Sequence, residues 1–279
     1  MTSSTTFALR GIAAALLAVG ATGLAMAQTT TLGTRGTTSQ ANTAITTNAG
    51  STWKEYTRGE DHAGSVTMPL QFIGTASGQR LAVLVSVPAD ASGNPVPGTF
   101  PVILTQTAYR IDTGQLLGSV FQSGNTLLVG GVDKFMNKRG YISVAVDVVG
   151  SGMSTGEAQL LGAAEQQGHA DAVDWVTKQP WFNGQLGLAG TSYLGITALQ
   201  TAKQQHPAVK AVFAQVPMGD AYRGTVGIGG LLNAQFISLW LPLTQSLSVS
   251  NKNAAKNNPD FADLINAANE QHIAAIDSW

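Results

Sequence analysis

Between about residues 66 and 217 the apolar residues alternate between continuous runs and helix-spaced stripes, and this alternation predicts strands followed by helices. Residues 66–73 and 81–88 read as two strands joined by the polar segment 74–80, a hairpin by composition. Residues 100–107 and 140–150 are almost uninterrupted apolar runs, as expected of strands covered on both faces. Between them the periodicity is poor, and a helix is expected over 126–136. Residues 162–178 place Ala164, Ala172, Val173, Trp175 and Val176 at helical spacing, with Glu165, Asp171 and Asp174 at intervening positions. That pattern predicts an amphipathic helix. The turn 179–184 leads into a short apolar strand at 186–190, then a helix at 196–205 stopped by His206-Pro207, then a further parallel strand at 209–217. Beyond it, 231–247 is apolar with Trp240 and Pro242, and 251–279 is Asn/Ala-rich and helix-like with no glycine stop. Strands alternating with helices predict an α/β fold, a mostly parallel sheet with helices on both faces and a partial helical cap at the carboxyl-terminal end.

The amino-terminal stretch follows another pattern. Arg10, the apolar run 11–24 and Ala25-Met26-Ala27 form the charged, apolar and small-residue parts of a secretory signal peptide. The run falls short of the ~20 residues that a membrane span needs. Export is the expectation, to the periplasm, cell surface or medium, with no stable membrane span after cleavage. Residues 28–62 are rich in Thr, Ser, Asn and Gly and hold too little apolar surface to offset the entropy of ordering. The expected organisation is a signal peptide at 1–27, a disordered leader at 28–62, a sheet-and-helix core at 63–224 and the start of a helical cap at 225–279.

Composition narrows the chemistry. A net charge of −1 over 279 residues, with no basic block, lacks the electrostatic footprint of a nucleic-acid binder. Zero cysteines exclude a disulfide framework, a thiolate zinc site and a cysteine nucleophile. The histidines, at 62, 169, 206 and 272, are too scattered to spell a local metal motif, so neither a metal nor a cofactor is expected.

The candidate chemistry gathers at residues 186–195, where the strand runs into the helix with Ser192 at the corner. A nucleophile elbow is a sharp, strained turn that needs small residues on both sides of its serine, and Gly190 and Gly195 supply the room. The competing reading of Ser192 is a helix N-cap, whose hydroxyl accepts from an orphan N–H. The generic elbow has its second glycine two residues after the serine, where this chain has Leu194.

Gly190-Thr191-Ser192-Tyr193-Leu194-Gly195 resembles the elbow of X-prolyl dipeptidyl-peptidase-like and cocaine-esterase-type serine hydrolases, in which a tyrosine follows the nucleophile. The resemblance extends over about residues 66–230. It implies an α/β-hydrolase fold with Ser192 as nucleophile, the Tyr193 backbone N–H as one oxyanion donor and the Tyr109 hydroxyl as the other. The alternative for Tyr109 is an aromatic that caps a strand end. Ala108 stands where that family commonly has proline. Asp147, Gly150, Ser154 and Gly156 match a scaffold turn of the form Asp-x-Arg-Gly-x-x-x-Ser-x-Gly, with Val149 replacing the arginine, at an expected cost in packing or a salt link rather than in chemistry. Asp220-Ala221-Tyr222-Arg223 follows the family pattern as well. His169 reads as a packing or surface histidine.

The fold orders its triad serine, acid, histidine, which removes Asp147 from candidacy. Asp220, Asp260 or Asp263 before His272 would have the correct order, but 260–279 reads as a cap helix that would not bring His272 onto Ser192. The expectation is that the triad Asp and His lie beyond residue 279, and that a half-finished parallel sheet leaves an unpaired apolar edge. The resemblance implies an exported serine hydrolase that acts on small-molecule ester or peptide substrates, X-Pro dipeptidyl bonds among the candidates, through an acyl-enzyme on Ser192. The rival readings are a non-catalytic hydrolase-fold binding domain and a truncated inactive fragment. Oligomeric state is left open.

Overall fold

A proline has no N–H to give to a ladder, and Pro69 divides the first apolar stretch, expected as one strand, into β1 (Gly64–Thr67) and β2 (Gln71–Gly74). Both lie antiparallel to the long β3 (Arg80–Ala89), with Thr67 opposite Ser86 and Gln71 opposite Val83. These elements belong to a computed structural model that describes residues 59–113 and 130–276. The expected signal peptide, nearly all of the expected leader and the first part of the 126–136 helix lie outside the described residues.

The next strands are β4 (Phe100–Thr107), β5 (Ile142–Asp147), β6 (Phe182–Thr191) and β7 (Val209–Gln215). The sheet order is β1-β3-β5-β4-β6-β7, with β2 also on β3. From β5 through β7 every pairing is parallel, and β3 joins β5 antiparallel. All six residues of β5 are buried, as its apolar run requires.

The helices are α1 (Lys134–Lys138), α2 (Ala163–Thr177), α3 (Tyr193–Ala202), α4 (Ala234–Ser248), α5 (Lys252–Asn257) and α6 (Ala262–Ala274). Short α1 starts late in the expected 126–136 segment because the Asp133 carboxylate caps it, accepting from Phe135 N at 2.9 Å and Met136 N at 3.3 Å. Its far end holds residues grouped with the leader by composition: Asp61 N and His62 N both donate to Lys138 O, at 2.8 and 3.0 Å. The Asn/Ala-rich tail 251–279, expected as helix-like, breaks at Asn258, because Pro259 opens a 3-10 turn, Pro259–Phe261, between α5 and α6.

Strand residues point alternately to the two faces of the sheet, and each face has its own core. On one, Val83, Val85, Val102, Leu104, Val144, Val146, Leu186 and Leu188 pack on Ala172, Val173 and Val176 of α2 and Ala198 of α3. On the other, Ala82, Leu84 and Ala145 meet Met153, Ala254, Ala255 and Ile265, which covers the sheet with α5 and α6. Each fully buried Val, Leu or Ile contributes roughly 1.5–3 kcal/mol. The outer strand β7 is different: Val212 is 40% exposed and Phe213 54%, and no strand pairs its outer edge among the described residues.

Candidate active site

Ser192 stands where β6 passes into α3, with φ 59° and ψ −124°. A non-glycine residue in such a conformation costs of order 1–3 kcal/mol and persists only where its surroundings enforce it. Here Ser192 N donates to Gln215 O on β7 at 2.9 Å, while Ser192 O accepts from Ile196 N at 3.0 Å. Close packing explains the flanking glycines. A Cβ on Gly190 would lie 2.3 Å from the Cβ of Leu194, and one on Gly195 would lie 2.7 Å from Gln215 O. Ser192 occupies the N-cap position of α3, yet its side chain makes no capping hydrogen bond. The hydroxyl is therefore not spent on the helix, and the N-cap reading loses its basis.

Tyr109 is buried just beyond β4, its N–H held by Thr107 Oγ1 at 2.9 Å. Its hydroxyl oxygen accepts from Trp240 Nε1 of α4 at 2.9 Å. The Ser192 side chain and the Tyr193 backbone N–H both lie close enough to the same hydroxyl to influence its proton. Burial pushes the Tyr109 phenol up, and the bonds to Trp240, Ser192 and Tyr193 only partly oppose it, so the group keeps its proton at neutral pH. The Trp240 N–H takes a lone pair of the oxygen, which leaves the phenol proton free to turn toward the Ser192 hydroxyl. The three positions singled out in the sequence, Ser192, Tyr193 and Tyr109, thus meet at one point. Aromatic rings wall it: Tyr109 to Tyr193 is 5.9 Å between centroids, Tyr193 to Trp240 6.0 Å and Phe236 to Trp240 6.2 Å.

Asp147 does not join this group. Its carboxylate accepts from Ile111 N at 2.8 Å and Met153 N at 2.9 Å, tying the loop after Tyr109 to the turn after β5. Burial is the largest influence on it and pushes its pKa to about 8, against those two N–H bonds and nearby Arg110. Ser154 Oγ completes the turn by donating to Asp147 O at 2.7 Å and accepting from Ala82 N at 2.9 Å. Val149, where the resembled turn has arginine, belongs to the apolar core. The buried guanidinium near Asp147 comes instead from Arg110, at φ 67°, which forks onto Asp112 and donates to Ser250 O at 2.8 Å.

The other histidines have partners elsewhere. His272 Nδ1 bonds Ser248 O at 2.9 Å, and burial pushes its pKa down. His206 faces Asp174 at 3.6 Å, and His62 stacks edge-on against Phe100. Asp260 in the 3-10 turn and Asp263 at the start of α6 are exposed, and Asp220 accepts from Arg223 N at 2.8 Å. The described residues therefore assemble no triad around Ser192 from the acids that precede His272.

Two side chains were not singled out by the sequence reading. Trp240 was read only as part of an apolar helix; its spacing of four from Phe236 was the available sign that both face one way. Glu165 was grouped with Asp171 and Asp174 between the apolar positions of an amphipathic helix, but it is 3% exposed. The correction has a physical reason, since its carboxylate accepts from the Tyr193 hydroxyl and from Leu161 N, at 2.9 Å for the latter. His169, one turn later, is also buried, with Nδ1 on Gln106 Oε1 at 2.9 Å. Among the described residues, no cluster of three or more His, Asp or Glu is arranged to hold a metal ion, and no helix is long and apolar enough to cross a membrane.

Comparison with known proteins gives the same architecture. A protein of Mycobacterium tuberculosis named as a serine esterase is 32% identical over 180 residues, covering 61% of this chain and 27% of its own length. The cocaine esterase of Rhodococcus sp. strain MB1 Bresler is 29% identical over 208 residues, covering 74% of this chain and 32% of its own. The chain thus spans about a third or less of these relatives. A solved CocE/NonD family hydrolase from Staphylococcus aureus superposes with a TM-score of 0.55 at 22% identity, covering 73% of this chain and 38% of that one, which shows the α/β-hydrolase fold. Residues 77–279 match the X-Pro dipeptidyl-peptidase (S15) family, and the chain belongs to it.

Proposed function

We propose that the protein carrying this chain is an exported serine hydrolase that cleaves esters or amides through an acyl-enzyme on Ser192. The observation that carries this reading is the convergence of the Tyr109 hydroxyl, the Tyr193 N–H and an uncapped Ser192 hydroxyl on one strained turn. Ser192 Oγ attacks the substrate carbonyl, and the negative charge that develops on the carbonyl oxygen is met by Tyr193 N–H and the Tyr109 hydroxyl. A histidine from outside residues 59–276 takes the serine proton, passes it to the leaving group, and later activates the water that releases the acyl group. Residues 225–276 roof the site as a helical cap, a role supported by the reach of Trp240 from α4 onto Tyr109. The signal-like pattern at residues 10–27 supports export.

The test is Ser192→Ala in the protein carrying this chain, assayed on p-nitrophenyl esters and on X-Pro amides, together with labelling by a fluorophosphonate. The expected result is loss of labelling and a fall in turnover of at least about a thousandfold. Full activity in the variant would overturn the reading and leave the non-catalytic binding domain. The substrate that wild-type protein turns over decides between ester and amide.

A further inference from the structure

Beneath the elbow lies a set of buried polar side chains that the proposed chemistry does not use. Glu165 and His169 of α2, Gln106 of β4, and Tyr193, Thr197 and Thr201 of α3 are all buried. The Tyr193 hydroxyl donates to Glu165 Oε1, whose other neighbour is His169 Nε2 at 3.4 Å. Thr201 Oγ1 donates to Thr197 O at 2.7 Å and so accepts from Gln106 Nε2 at 2.8 Å. That leaves Gln106 Oε1 as acceptor and makes His169 Nδ1 the donor at 2.9 Å. Thr197 Oγ1 closes the set by donating to Gln106 O at 2.8 Å. The network ties α2 to the two elements that carry the oxyanion donors: β4, which ends at the Tyr109 loop, and α3, which begins with Tyr193.

Resting on the serine-hydrolase reading above, we propose that Glu165 is a positioning residue for the oxyanion pocket, acting through the Tyr193 hydroxyl. Tyr193 has two jobs in this geometry, and they fix each other. Its N–H meets the developing oxyanion, and its ring stands between Tyr109 and Trp240. Its ring faces are held by Tyr109 and Trp240, and Glu165 grips the far end of the ring. The Tyr193 hydroxyl is pushed well above its ordinary pKa, by burial first and by Glu165 next, so it remains a donor to that carboxylate at all working pH. Glu165 Oε2 is in turn held by Leu161 N, itself at φ 59°. A polar network with nearly every member partnered fixes one arrangement of a core, and here it fixes the relative placement of two donors on different elements. Misplacement of a reacting group by about 1 Å can cost on the order of a hundredfold in rate.

The experiment uses the protein carrying this chain, with Tyr193→Phe, Glu165→Gln and the double variant measured beside Ser192→Ala. Ester kcat and KM and the rate of fluorophosphonate labelling are followed, with thermal melting as the check on folding. The proposal expects Tyr193→Phe and Glu165→Gln each to lower kcat and the labelling rate about tenfold, with KM changed less than twofold. The double variant is then no worse than the poorer single change, since both variants weaken the same Glu165–Tyr193 contact. It is overturned if Tyr193→Phe, melting as wild type does, keeps kcat and labelling within twofold, or if the two losses multiply in the double variant. Should Glu165→Gln fail to melt cooperatively, Tyr193→Phe alone decides. Ser192→Ala separates the two levels: activity retained there removes the serine-hydrolase reading itself, whereas an inactive Ser192→Ala beside unaffected Tyr193→Phe removes only the role of Glu165.

Discussion

Trp240 Nε1 donates to the Tyr109 hydroxyl at 2.9 Å across 131 residues of sequence, joining a helix beyond the sheet to the loop we propose as the source of an oxyanion donor. The bond occupies a lone pair of the phenol and leaves its proton for the reacting oxygen. Tyr109→Phe is expected to lower kcat by about 100-fold, the loss typical of one preorganised oxyanion donor. Trp240→Phe keeps an aromatic wall but frees the phenol to rotate, and is expected to cost roughly tenfold or less. Steady-state kinetics on an activated ester checks both; a change under about threefold for Tyr109→Phe would show that its hydroxyl is no donor.

The elbow glycines are expected to be irreplaceable for steric reasons. Gly190→Ala sets a methyl 2.3 Å from the Leu194 Cβ and 2.5 Å from the Leu194 backbone carbon, and neither can swing aside. Gly195→Ala drives α3 off β7 through the 2.7 Å approach to Gln215 O. Overpacking of this kind costs on the order of 3 kcal/mol. Thermal melting should show Gly190→Ala to be the worse, because its contacts are shorter.

Asp147 gives a pH dependence with a definite sign. Its pKa rises from 3.8 in the unfolded chain to about 8 in the fold, so the folded state holds the proton longer. The stabilisation is complete below pH 3.8 and is lost as pH rises through about 8. Asp147→Asn is expected to flatten that part of the stability profile. It also sets an amide NH2 against either Ile111 N or Met153 N, at a cost of about 1–3 kcal/mol. The measurement is the difference in melting between variant and wild type from pH 4 to pH 9. A difference that does not change with pH would show that Asp147 is ionised in the fold.

His272 should act with the opposite sign. Burial depresses its pKa below 6.5, so its unfolded form binds the proton more readily. Its contribution is intact above pH 6.5 and is lost as pH falls toward the folded value. His272→Gln should therefore lose less stability than wild type between pH 6.5 and pH 5, read by the same melting experiment.

The outer edge of β7 predicts association. Val212, Phe213 and Val216 are 40%, 54% and 80% exposed, beside an unpaired backbone edge. Residues 59–276 expressed alone are expected to self-associate at micromolar concentration, as exposed apolar edge strands do. Phe213→Asp with Val216→Lys should reduce this, read by light scattering. Equal scattering from the two proteins would place the sticky surface elsewhere.

What the sequence determined by itself was local. Uninterrupted apolar runs set β4, β5 and β6, helical spacing set α2, and the small residues around Ser192 marked the elbow, because each depends on a few neighbouring side chains. Pro69 and Pro259 fell inside segments read as continuous, and the breaks they impose appear as two short strands and a divided carboxyl-terminal tail. Tertiary structure decided what required distance in sequence. Glu165 looks like any acid on a polar helix face until Tyr193, 28 residues later, brings a hydroxyl onto it. Trp240 looks like one more apolar cap residue until Tyr109 supplies an acceptor for its N–H. A polar side chain tolerates burial only where a partner meets it. The sheet brings those partners together from elements far apart in the chain, so no local pattern could announce them.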